Sequence, residues 1–206
     1  MSNYHKKKEK FFFNKSLFIE TLFYKSFRIK RYHYSFGGNF DLELARKRIT
    51  CWAEFSSKYL AFQTIKLNYT CLKRNGMTIE IAQEPLNRLP HKTGESQSDL
   101  LNILKKELNN AWDMNLVHGD LNRKNILLTT EGYRIVDIEP LLRVPLGNNQ
   151  FALRTTHPYL AEEDRKNWDV TRASDKLGFD CFAAWIRGEV EQPAMASPPP
   201  PSLPPL

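Results

Sequence analysis

Polar and apolar positions change period several times along the chain, and each change marks an element. Between Phe11 and Tyr34, aromatic and β-branched residues partly alternate with polar ones, as in Phe18-Ile19-Glu20-Thr21-Leu22-Phe23-Tyr24 and Phe27-Arg28-Ile29-Lys30-Arg31-Tyr32. That alternation predicts two or three antiparallel strands turning at Tyr24-Lys25-Ser26. Gly37-Gly38-Asn39 ends the pattern, and from Asp41 the period lengthens. Leu42, Ala45, Ile49, Trp52 and Phe55 recur at steps of three and four, which predicts a helix with one apolar face ending near Lys58-Tyr59-Leu60. The runs from Ile65 to Leu72 and from Met77 to Ala82, joined by Asn75-Gly76, read as a hairpin. Gln83-Glu84-Pro85-Leu86-Asn87 then makes a connector, and residues 90–98 make a polar loop rich in breakers. Asp99, read as a cap, opens a second helix with Leu100, Leu101, Leu104, Leu108 and Trp112 on one face. Ile126-Leu127-Leu128 and Tyr133-Arg134-Ile135-Val136, joined at Glu131-Gly132, predict a short hairpin.

This last hairpin is flanked by chemistry. Before it stands Val117-His118-Gly119-Asp120-Leu121-Asn122-Arg123-Lys124-Asn125, and at its end Asp137-Ile138-Glu139. The hairpin carries Asn125 and Asp137 to one side, where an amide oxygen and a carboxylate can reach one cation. An aspartate, an asparagine and a second aspartate in this arrangement suit phosphoryl transfer: one group accepts the proton of the attacking hydroxyl, and two oxygens hold a metal that draws charge off phosphates.

The stretch HGDLNRKNILL…IVDIE resembles the catalytic loop and metal motif of the protein-kinase-like superfamily. The resemblance implies an α+β, two-lobed fold with a small β-rich N-lobe and a truncated helical C-lobe, using ATP and Mg²⁺. It makes Asp120 the catalytic base, Asn125 and Asp137 the magnesium ligands, and His118 a support for the loop. Phe27-Arg28-Ile29-Lys30 matches the strand whose lysine holds the α- and β-phosphates, so Lys30 is the cofactor-binding candidate, to be paired with Glu54, or else Glu43, from the first helix. Residues 83–87 become the hinge that meets an adenine. One departure concerns the phosphate-covering loop: no glycine precedes Gly37, so Asn14-Lys15-Ser16 must serve as that turn.

The features bearing on the acceptor are mixed. His-Gly-Asp, Asn122 and Asp137-x-Glu139 look more like kinases of aminoglycosides, choline or lipopolysaccharide-core sugars. Thr156-His157-Pro158-Tyr159-Leu160-Ala161-Glu162-Glu163 resembles the end of a protein-kinase activation segment, and Asp175 falls where protein kinases place the aspartate of their central lobe helix. By that likeness Thr156 touches Asp120 and helps place a substrate hydroxyl, and Lys124 supplies the charge that Asn122 cannot. Gly119 stands where an arginine would hold an activating phosphate, which implies activity without such phosphorylation. The favoured acceptor is a protein serine or threonine. A sugar or lipopolysaccharide-core kinase and an inactive pseudokinase binding module are the two alternatives.

Composition adds bounds. At 206 residues and 41% hydrophobic content the chain suffices for two small lobes around a cleft. The expected division is a basic segment 1–10, an N-lobe 11–82, a C-lobe 83–188 and a tail 189–206 that is proline-rich and extended. No run approaches the ~20 apolar residues of a membrane span, and the basic start breaks too soon for a signal peptide, which gives a cytoplasmic expectation. Three scattered cysteines indicate neither a disulfide framework nor a zinc site. The net charge of +7 reads as solvated surface and nucleotide-facing cleft. No basic-aromatic repeat points to a nucleic-acid partner, and peripheral contact with anionic lipid stays open.

Overall fold

The computed structural model describes residues 7–12, 17–24, 27–35, 40–72, 76–147, 150–153, 159–167 and 169–191. The alternating stretches form β1 (Lys7–Phe12), β2 (Leu17–Phe23), β3 (Arg28–Tyr34), β4 (Ile65–Leu72) and β5 (Gly76–Gln83). They make one antiparallel sheet in the order β1-β2-β3-β5-β4. β1 starts inside the stretch expected to be a separate basic segment, residues 1–10, because Lys7 pairs with Phe23 and Lys8 with Leu22. At the β4–β5 hairpin Gly76 takes φ +137° and lies so close to β3 that a Cβ would sit 1.7 Å from the Tyr34 carbonyl oxygen. Only glycine fits there; Asn75 beside it lies outside the described residues, as do Lys25, the Asn14-Lys15-Ser16 turn and the proline-rich stretch from residue 192.

Helix α1 (Leu42–Ser56) starts as its pattern predicts, with the Asp41 carboxylate accepting the Leu44 N–H at 2.8 Å, and buries Ala45, Ile49, Trp52 and Phe55. The second lobe contains α2 (Ser98–Asp113), the hairpin β6 (Ile126–Thr129) and β7 (Gly132–Ile135), a further hairpin β8 (Arg143–Gly147) and β9 (Gln150–Leu153), and helices α3 (Glu162–Asn167) and α4 (Arg172–Arg187). Asp99 is not the cap of α2: Gln97 holds that position without a side-chain bond, and Asp99 lies in the first turn. There its charge complements the helix dipole. Among the described residues no helix is long and apolar enough to cross a membrane.

One apolar core runs through both lobes, from Leu17, Tyr32 and Ile79 in the sheet through Trp52, Phe55 and Phe62 to Leu104, Leu108, Ile126 and Ile135 below. The segment after α1 locks the lobes together by main-chain bonds. Ile135 N–H donates to Ala61 O at 2.6 Å, Gln63 N–H donates to Ile135 O at 2.9 Å, and Glu107 of α2 accepts the Ala61 N–H at 2.6 Å. The metal-motif strand β7 is thereby fixed against both the helix and the sheet above it.

Candidate active site

The loop between α2 and β6 hangs from a buried carboxylate. Asp175 of α4 is 0% exposed and accepts His118 N–H at 2.6 Å, Gly119 N–H at 2.7 Å and Trp112 Nε1–H at 3.1 Å. Burial pushes this carboxyl above its ordinary value, and the neighbouring His118 and the three donors oppose that. Gly178, one turn on, lets α4 approach: a Cβ there would lie 2.1 Å from the Leu121 carbonyl oxygen. The His118 ring completes the support. Its Nε2–H donates to Val136 O at 2.9 Å while Nδ1 accepts Asp120 N–H at 3.2 Å, and a single tautomer satisfies both.

Asp120, Asn125 and Asp137 are brought to one place. Asn125 Nδ2–H₂ donates to both Asp120 O and Asp120 Oδ2 at 2.9 Å, and Val136 N–H donates to Asn125 O at 2.9 Å, so Asn125 sits beside the residue preceding Asp137. Asn122 contributes no charge but braces the loop, through Nδ2–H₂ to Asp120 O at 3.1 Å and Oδ1 from Lys124 N–H at 2.8 Å. Asp137 adopts φ 68°, a left-handed conformation that strains a non-glycine residue and concentrates at functional sites. Burial alone would raise its carboxyl, but Lys30 and then Arg28 outweigh burial and hold it at about 2. With the amide nitrogen spent on Asp120, Asn125 retains Oδ1 as a ligand atom, and Asp137 offers an ionised carboxylate. Two oxygen donors of this kind fit Mg²⁺, which takes its other oxygens from phosphates and water. Among the described residues no cluster of three or more His, Cys, Asp or Glu could hold a metal by itself.

Lys30 reaches this site, with Nζ 3.0 Å from Asp137 Oδ1 and 2.6 Å from Glu139 Oε1. Burial acts to lower its pKa, yet Glu139 and Asp137 together raise it above the ordinary value. The expected partners from α1 are not the ones found. Glu43 pairs with Arg46 at 3.0 Å on the surface, and Glu54 is exposed. At about 100° per residue both lie roughly opposite Ala45 and the rest of the apolar stripe. The α1 residue that does reach the site is Arg48, whose Nε–H donates to Glu139 O at 3.0 Å and whose guanidinium donates to His118 O at 3.2 Å. Burial weighs against its charge, with Asp175 and Glu139 opposing. The sequence reading took Glu139 only as part of the Asp-x-Glu form, not as a partner of Lys30, and did not single out Arg48. The Asp-x-Glu spacing was the available sign, since both of its carboxylates meet Lys30, at 3.0 and 2.6 Å.

Beside Asp137 opens a cleft of about 260 Å³, lined among others by Phe23, Phe27, Arg28, Leu127, Val136 and the hinge residues Glu84, Pro85 and Leu86. Pro85 lacks an N–H and so offers no main-chain donor to that wall. Arg28 lies on that wall, its Nη2 both donating to the Gln83 side-chain oxygen and approaching Asp137 Oδ1 to 3.5 Å. A larger cavity of 720 Å³ lies behind the hinge around Ser56, Gln63, Thr64 and Arg134 and includes none of the catalytic-loop residues. Lys124 is exposed at the loop surface. Thr156 lies outside the described residues. Glu163 is exposed, whereas the next residue, Asp164, is 1% exposed and braces the start of α4 by accepting Thr171 N–H at 2.8 Å, Thr171 Oγ1–H at 2.7 Å and the Ser174 hydroxyl.

No known family model matches this sequence, and no curated protein matches it either. Solved structures do. The kinase PK-1 of Cydia pomonella granulovirus is similar with a TM-score of 0.56 at 15% identity, over 89% of this chain and 69% of that one. The fold is protein-kinase-like. The PknI kinase domain of M. tuberculosis is similar with a TM-score of 0.51 at 14% identity, over 96% of this chain and 79% of that one. In this protein-kinase-like fold the sheet and α1 form the small lobe, and the hairpins with α2, α3 and α4 form the other.

Proposed function

We propose that the protein is an ATP- and Mg²⁺-dependent phosphotransferase that moves the γ-phosphoryl group to a hydroxyl, with a protein serine or threonine as acceptor. The observation that carries the reading is the convergence of Asp120, Asn125 and Asp137 with Lys30 beside an open cleft. Asp120 accepts the proton of the acceptor hydroxyl as its oxygen bonds to the γ-phosphorus and the bridging bond to ADP breaks. Asn125 Oδ1 and Asp137 would hold the magnesium, which would supply the positive charge that offsets the phosphates. Lys30 holds the α- and β-phosphates, and the hinge, residues 83–87, meets the base. Support for a protein acceptor comes from the segment before α3: Leu160 is buried and Ala161 N–H is held by Ser174 Oγ at 2.9 Å, which anchors its end on α4 as a fixed ledge.

The test is incubation of the chain with Mg²⁺ and γ-labelled ATP in a cell extract, beside Asp120→Ala, separating protein, glycolipid and small molecules. Label in protein that disappears with Asp120→Ala is the expected result. Label in glycolipid or small molecules would replace the acceptor with a sugar, and no label anywhere would remove the catalytic reading. A second reading, an inactive binding module, draws on Arg28, which lies in the cleft and shares Asp137 with Lys30.

A further inference from the structure

We propose that Glu139 is the positioning residue for Lys30, so that the phosphate-facing lysine is anchored by the metal loop itself and not by helix α1. The inference rests on the reading of Lys30 given above. It starts from the pair: Glu139 Oε1 lies 2.6 Å from Lys30 Nζ, with side-chain exposures of 7% and 13%. A buried ammonium is costly unless a carboxylate stays with it. Asp137 is the other carboxylate in reach, at 3.0 Å, and is also the group required for the metal. If Lys30 had Asp137 alone, holding a cation there would strip the lysine of its partner. Glu139, two residues further on, keeps the lysine paired while Asp137 turns to the metal.

The charge on α1 agrees with this division. Where an anchoring helix would present a carboxylate, α1 presents Arg48, and its acceptors are the main-chain carbonyls of Glu139 and His118. The helix therefore steadies the backbone that carries Glu139, and displacing α1 leaves the Lys30–Glu139 pair without any direct break. The pair itself is assembled from β3 and the loop after β7, with α1 holding the backbone of that loop through Arg48.

The experiment measures acetic anhydride acylation of Lys30 by mass spectrometry in the nucleotide-free chain, beside ADP binding without metal and a Mg²⁺ titration of ADP binding. Glu139→Gln should acylate about fivefold faster at Lys30 and bind metal-free ADP about tenfold more weakly, as expected for loss of a charge-assisted hydrogen bond. Glu139→Asp should fall between, and Glu54→Gln, on the exposed face of α1, should match the wild type in Lys30 acylation. Unchanged acylation in both Glu139 variants overturns the proposal, and so does a Glu54→Gln effect as large as that of Glu139→Gln. A shifted Mg²⁺ midpoint with unchanged Lys30 acylation would make Glu139 a metal ligand instead. Should Glu139→Gln fail to fold, Glu139→Asp, which keeps the charge at shorter reach, decides the matter. A wild type that binds no nucleotide while Lys30 acylation still follows Glu139 sinks the proposed function and leaves the anchor standing.

Discussion

The two walls of the cleft are held in different ways. On the lower wall the groups that carry the loop are buried and fully partnered: Asp175 at 0% exposure takes three N–H donors, and His118 at 1% uses both ring nitrogens. Across the cleft the Arg28–Asp137 pair reaches solvent, with Arg28 at 30% and Asp137 at 31% side-chain exposure, while Lys30 and Glu139 at 13% and 7% are largely buried. Buried, satisfied networks specify one arrangement, because each unmet group costs its full desolvation. Pairs open to water are individually weak and easily replaced. His118, Asp175 and Glu139 are accordingly on the buried side of this contrast, and Arg28 is on the open side.

The largest effect is expected where the lower wall is cut. Asp175→Ala leaves His118 N–H, Gly119 N–H and Trp112 Nε1–H without their acceptor. Unsatisfied buried donors of this kind should cost about 3 kcal/mol or more, read as a lower urea midpoint, with phosphoryl transfer lost as the loop slackens. A midpoint close to the wild type would mean that water replaces the carboxylate and that the two walls do not differ as described.

Next comes the contact beneath the loop. In Gly178→Ala the new Cβ meets the Leu121 carbonyl oxygen at 2.1 Å, a backbone atom that cannot move aside cheaply. Overpacking of this kind costs about 1–3 kcal/mol, seen as a fall in thermal midpoint. Because the displaced atom is in the loop that bears Asp120, activity should fall more than stability does. Equal losses would show that α4 sets only the fold and not the loop.

The same contrast governs what could be read before any coordinates. The periods that place α1, the β4–β5 hairpin and the β6–β7 hairpin are local, and so were legible; so was the Asp120, Asn125 and Asp137 set, whose spacing is fixed by one short hairpin. Lys30 with Glu139 and Arg48 with the loop carbonyls join elements far apart in sequence, and no local pattern announces such pairs. The two α1 glutamates were the wrong candidates for a reason the helical wheel already contains, since they face away from Ala45, Ile49 and Trp52. The β8–β9 hairpin was not foreseen either, and Pro145 within it demotes a strand by pattern.

The smallest effect is expected on the upper wall, and it has the more informative sign. Arg28 lines the cleft, where its Nη2 bonds the Gln83 side chain and approaches Asp137 Oδ1 to 3.5 Å. Removing it opens space and releases one of the two cations that share Asp137. The lost pair is part-exposed, so the fold should be little affected, and Arg28→Ala should tighten Mg-ADP binding by about fivefold, the ~1 kcal/mol scale of such pairs. Titration with a fluorescent ADP analogue reads this directly. Weaker binding would give Arg28 the opposite role, that of a ligand to the nucleotide, and the upper wall would then be a nucleotide site with its own cation in place of open space. Tighter binding would instead identify Arg28 as the group that keeps Asp137 occupied until metal and nucleotide arrive together.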